Sequence, residues 1–222
     1  MPNWVFNDLH IEGSEEAIQK VKAQLNAPYT RTYEDEGVVT FSNPVFAFWN
    51  IVRPPEDKLD EYEGVHGFKD GEKQGETKYN WYNFNNREWG TKWDVGVSDS
   101  QKYSETTFSE VSPTKISYHF QTAWSAPLPV IEALSLQNPE VEITLDYEEE
   151  QGWGGKIYWD STGSSVLEEY DSPDSHADYV KRDNVDSCNC ANSEDTDDWY
   201  DDCPGKKTTI ELFAKRDVTQ LT

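Results

Sequence analysis

The sequence predicts an α+β fold in which an antiparallel sheet carries helices on one face. Three observations lead there. The segments at 4–11, 115–123 and 141–147 alternate apolar and polar residues at the period of a half-buried strand. Residues 14–27 repeat apolar side chains at helical spacing through Ala17, Ile18, Val21 and Leu25. The order of strands and helices then suits a split β-α-β arrangement, which places helices over one side of a sheet.

In order along the chain, the strand from Trp4 to Ile11 ends at Gly13, and Ser14 caps the following helix. Glu15 and Glu16 occupy the first turn, where the helix dipole favours anions, and Pro28 ends the run. Residues 38–41 and 45–52 read as strands around a turn at Ser42, Asn43 and Pro44. Residues 56–78 are polar and Gly-rich; they predict a short helix near Leu59 and then a long loop. Tyr79 to Trp89 is dense in aromatics and predicts a helix that Gly90 breaks. Residues 98–112 read as a polar loop. Residues 130–136 form a short helix with Pro129 in its first turn, where proline is tolerated. The strand at 141–147 has a hairpin mate at 156–160, joined through Gly152, Trp153, Gly154 and Gly155.

Residues 164–205 differ in kind. Thirteen carboxylates stand against Lys181 and Arg182, with little apolar content to order them. Such a segment is expected to be a mobile acidic insertion. A final strand at 208–214 resumes the pattern, so the whole of 1–222 is expected to be one domain.

The totals narrow the function classes. Apolar residues are 35% of the chain, but nine Trp, twelve Tyr and nine Phe supply large buried surfaces in their place. The net charge is −24, which repels phosphate backbones and anionic membranes and favours a partner with a basic surface. Direct nucleic-acid and membrane binding are therefore not expected. The first residues lack the basic and apolar regions of a secretory leader, and three cysteines do not build a disulfide scaffold. A cytoplasmic location is expected.

Several blocks carry a family resemblance. They are Met1-Pro2-Asn3-Trp4-Val5, Phe46 to Pro55, Trp81-Tyr82 with Glu88-Trp89-Gly90-Thr91-Lys92-Trp93, and Phe120 to Pro127 followed by Pro129-Val130-Ile131. Together they resemble phage- and plasmid-encoded proteins with a YubB-like ferredoxin-like domain, over about residues 1–160. The resemblance implies a ferredoxin-like α+β fold, a mobile-element origin and hence the cytoplasm of a bacterial host. It implies no catalytic residues, and the acidic 164–205 segment looks like an addition to it.

Three constellations are candidate sites. Trp81, Glu88, Trp89, Lys92, Trp93, Trp124 and Ser125 could line a pocket with indole walls and polar anchors, or could simply be core. Asp195, Asp197, Asp198, Trp199, Tyr200, Asp201 and Asp202 could form an acidic surface with aromatic anchors, in the manner of a DNA mimic, or could be a solvated charge run. His176, Cys188, Cys190 and Cys203 are zinc-ligand types, but C-x-C is tighter than the usual zinc loop. Reduced thiols are the competing reading, and no other cofactor is expected. No nucleophile elbow, metalloprotease helix, P-loop or dinucleotide fingerprint occurs. The expectation is a non-enzymatic acidic protein that binds a host protein for host takeover or anti-defence. A ligand site beside Trp81–Trp93 and a role in the virion or its assembly are the alternatives.

Overall fold

The alternating segments lie side by side as antiparallel strands. The structure, a computed structural model, describes residues 3–33, 37–42, 44–63, 68–69, 72–73, 78–95, 106–183 and 200–204. In chain order its elements are β1 (Trp4–Gly13), α1 (Glu15–Leu25), β2 (Tyr29–Tyr33), β3 (Gly37–Phe41), α2 (Leu59–Glu63), β4 (Phe68–Lys69), β5 (Glu72–Lys73) and α3 (Trp81–Phe84). Then follow β6 (Thr107–Ser112), β7 (Lys115–Ala123), α4 (Leu128–Gln137), β8 (Val141–Glu149), β9 (Gly154–Asp160), β10 (Gly163–Tyr170) and α5 (His176–Asp183).

Among the described residues the main sheet runs β10-β9-β8-β1-β7-β6, with every neighbouring pair antiparallel. β6 therefore runs parallel to β1 with β7 between them. β8 runs parallel to β7 with β1 between them. These are two interleaved β-α-β units, the ferredoxin-like arrangement, with α4 as one crossover and α1 opening the other. The β9–β10 hairpin widens the sheet at one edge.

One face of this sheet is the core. Val5, Leu9 and Ile11 of β1 stand in register with Thr122, Tyr118 and Ile116 of β7, and Leu9 and Ile11 also meet Leu145 and Ile143 of β8. All of these are buried. α1 covers them with Ala17, Ile18, Val21 and Leu25, and α4 with Val130, Ile131 and Leu134. Ser14 caps α1 as expected, its hydroxyl accepting from the Ala17 N–H at 3.2 Å.

The segment between α1 and β6 supplies an aromatic layer. Phe46 lies 4.9 Å from Phe120 and 5.1 Å from Tyr118, centroid to centroid, and Phe48 lies 5.9 Å from Trp89. The expected strand at 45–52 is not formed. Phe46, Ala47, Phe48 and Trp49 are all buried, whereas a half-buried strand would alternate. Asp94 instead accepts from the N–H groups of Phe48 and Trp49 at 2.7 and 3.1 Å and holds a 3₁₀ turn at Phe48–Asn50. Asn50 donates to the carbonyls of Leu25 and Ala27 just past α1, satisfying acceptors the helix end leaves free.

Other expectations change in the same way. Within 98–112, residues 107–112 are β6, a sheet strand and not loop; its backbone pairs with β7 although little of its side-chain surface is buried. Within 56–78, the helix near Leu59 is present as α2, with Tyr62 buried, and β4 pairs with β5 where loop was expected. Within 164–205, β10 pairs with β9 and α5 follows at His176–Asp183, so part of the acidic insertion is regular structure. The expected strand at 208–214 lies outside the described residues. The described residues fall into two compact units, one within Met1–Tyr170 and one within Asp171–Thr222.

Candidate functional site

The tryptophan block is built by one helix end and one strand end. Asn80 caps the first turn of α3 by accepting from the Asn83 N–H at 2.9 Å. The helix continues as a wider π turn over Asn85–Trp89 and stops at Gly90, whose φ is +78°. A β-carbon at Gly90 would collide with the Pro129 ring, so this position requires glycine for space as well as for conformation. The chain beyond it is tied to the end of β7. Thr91, fully buried, donates to the Ala123 carbonyl at 3.0 Å, and the Ser125 hydroxyl donates to the Gly90 carbonyl.

These ties hold Lys92 and Trp93 opposite Trp124. The Lys92 ammonium sits 4.5 Å from the Trp93 ring centroid, 4.7 Å from that of Trp124 and 5.9 Å from that of Trp81. Trp93 and Trp124 are 6.1 Å apart at 30°, and Trp4 backs Trp93 at 6.2 Å. Trp93 and Trp124 remain 41% and 45% exposed, unusual for side chains that normally serve a core. Trp124 also holds φ at +68°, the left-handed region that a bulky residue enters at a cost. Its N–H donates to the Asn3 carbonyl at 2.9 Å, fixing that backbone to the start of β1.

The seven residues expected to line a pocket thus divide. Trp81, Lys92, Trp93 and Trp124 converge at the surface. Trp89 is wholly buried in the aromatic core, its indole N–H donating to the Val52 carbonyl at 2.8 Å. Ser125 is a tie between loops, and Glu88 meets Arg87 at 2.6 Å.

The second feature is the face of the sheet opposite α1 and α4, which sequence reasoning passed over. It carries the alternate residues of the same strands. On β1 these are Phe6, Asp8, His10 and Glu12, continuing from Trp4 at the tryptophan cluster. Asp8 stands opposite Asp146 and Glu12 opposite Glu142 in the β1–β8 register, while Phe6 stands opposite Glu148. Lys156 meets Asp146 at 3.0 Å, His119 meets Asp8 at 2.8 Å, and Lys115 meets Glu12 at 2.5 Å. The face is open: the side chains of Asp8 and Asp146 are 56% and 44% exposed. The alternation that revealed the strands also marks this face: Asp8 and His10 flank Leu9 on β1, and Glu142, Thr144 and Asp146 flank Ile143 and Leu145 on β8.

The acidic segment near the C-terminal end contributes differently. Asp195, Asp197, Asp198 and Trp199 lie outside the described residues. Asp202 accepts from the N–H groups of His176 and Ala177 at 2.7 and 3.2 Å, capping α5. Those bonds, that from His176 foremost, hold its carboxyl below the usual aspartate range. Tyr200 lies 6.4 Å from Tyr179, and Asp201 is exposed. Of the zinc-ligand candidates, Cys188 and Cys190 lie outside the described residues. Cys203 is buried and His176 opens α5. Among the described residues no group of three or more His, Cys, Asp or Glu could hold a metal ion, and no helix is long and apolar enough to cross a membrane.

Fold and surface together define a ferredoxin-like domain with an exposed, charged sheet face. Residues 90–189 match the family model described as a ferredoxin-like domain in Api92-like protein, a stretch that holds β6 to α5. A solved structure of Api92 from Yersinia pseudotuberculosis is similar at 10% identity, covering 78% of this chain and 99% of that one, with a TM-score of 0.45. No curated protein matches.

Proposed function

We propose that this chain is a non-enzymatic binding protein whose open sheet face receives a partner with a basic surface. The observation that carries the reading is the pairing of like charges on that face. Asp8 opposes Asp146, and Glu12 opposes Glu142. Directly opposed like charges destabilise a sheet. Asp8 meets His119, Asp146 meets Lys156 and Glu12 meets Lys115, but such exposed contacts are worth little to the fold; a basic partner would relieve the remaining repulsion and be steered to it by the field of a −24 chain. In keeping with the sequence resemblance, the partner is a protein of a bacterial host and the chain a phage or plasmid product acting in the host cytoplasm, in host takeover or anti-defence. DNA mimicry through 195–202 would add a second acidic surface to the same end.

The test compares the wild-type chain with an Asp8→Lys/Asp146→Lys double variant in pull-downs from host lysate at low and high salt. Partners captured at low salt should be lost with the double variant and also at high salt. Capture that is indifferent to both changes would rule the reading out.

A further inference from the structure

The geometry points to the Trp81–Trp93–Trp124 cluster being an aromatic cage for a cationic side chain, occupied here by the protein's own Lys92, with an arginine of a basic partner as the guest that replaces it. Indole faces attract cations, and three of them lie within 5.9 Å of one ammonium. Among the described residues Lys92 has no carboxylate partner, in a chain with 43 acidic and 19 basic residues. Among the described residues its ammonium meets rings. Rings serving only as packing would be buried, as Trp89 is; Trp93 and Trp124 are not. The left-handed backbone of Trp124 is a further cost, borne by a ring that stays 45% exposed. The cage is also rigid before any guest arrives, because Thr91 and Ser125 tie its two walls together.

The choice of guest follows from hydration and charge. A lysine ammonium is strongly hydrated, and guanidinium less so and planar, so arginine gives up less water on entering between rings. Trp4 and Phe6 are alternate residues of β1 that lead from the cage onto the open face, towards Asp8 and Glu148. An arginine seated in the cage would therefore bring its neighbours over carboxylates. The identity of the guest's carrier rests on the function proposed above; the cage does not.

N-acetyl-arginine amide titrated into labelled protein, with tryptophan indole N–H signals as the readout, tests the cage apart from that function. Lys92→Ala should tighten binding by roughly 2- to 30-fold, the range that cation–π attraction spans. Trp124→Gly should abolish it with the β1 and β7 amide signals unchanged, and Trp93→Ala serves if that variant misfolds. The neutral isostere N-acetyl-citrulline amide should not bind. Equal binding of citrulline, weaker binding by Lys92→Ala, or unmoved indole signals in Lys92→Ala would each overturn the proposal. Asp8→Lys/Asp146→Lys should leave this small-molecule affinity within about 2-fold, a change below the range expected for the cage itself. Loss of partner capture with cage binding intact would then fault the open-face reading alone.

Discussion

The two faces of β1 are made from interleaved residues of one ten-residue strand, yet they answer to different physics. Val5, Leu9 and Ile11 are fully buried and meet their neighbours in register. Asp8 and Glu12 meet theirs in the same register, but they are exposed and their β8 partners carry the same charge. The first set is what the fold requires. The second set is free of that requirement, so features that cost stability there point to use. The same contrast separates Trp89 from Trp124, one a core ring with its indole N–H satisfied, the other a half-exposed ring on strained backbone.

The largest effect should separate those two tryptophans. Trp89→Ala empties a fully buried site and leaves the Val52 carbonyl without its donor, so a loss of about 3–5 kcal/mol is expected in chemical denaturation. Trp124→Gly removes an exposed ring and relaxes a φ of +68° at once. Relief of about 1–2 kcal/mol of left-handed strain should roughly offset the lost ring contacts, leaving stability within about 1 kcal/mol of wild type. A Trp124→Gly variant as unstable as Trp89→Ala would place Trp124 in the core and dissolve the contrast.

A smaller effect should come from the open face itself. Asp8→Asn removes one of two opposed carboxylates and also weakens an exposed contact with His119, a kind of pair worth little. The net change should be a gain of about 0.2–1 kcal/mol in stability, together with weaker capture of a basic partner. A stability loss in thermal unfolding would show that the carboxylate serves the fold.

Legibility in the sequence followed the same division. Strands β1, β7 and β8 and helix α1 were legible because burial on one side writes a period into the residues. β6 was not, because Phe108 packs against the core while Val111 is exposed, and a strand held mainly by backbone bonds leaves no regular pattern. The Phe46–Trp49 run misled because four successive buried residues arise from a turn pinned by Asp94, 45 residues away from Trp49. In the candidate site, the convergence of Lys92, Trp93 and Trp124 was legible as a block, but which tryptophan is core depends on the ties at Thr91 and Ser125. The acidic bias marks 195–202 in the sequence, whereas the opposed pairs of the open face arise only when β1 meets β8.

The smallest effect concerns a carboxylate that, unlike Asp8 and Asp146, bonds to backbone. Asp202 accepts from two N–H groups at the start of α5, and those bonds depress its folded-state pKa. A group whose pKa is lower folded than unfolded contributes stability above the unfolded value, about 3.9 for aspartate, and loses it as pH falls through the folded value. Amide protection in α5 should therefore be level from neutral pH down to about 4 and fall only below that. Asp202→Ala should lower the plateau and remove the acid step, because no acceptor remains to be protonated. Protection in the variant that still dropped at the same acid pH would assign the step to another group and remove Asp202 from the structural carboxylates.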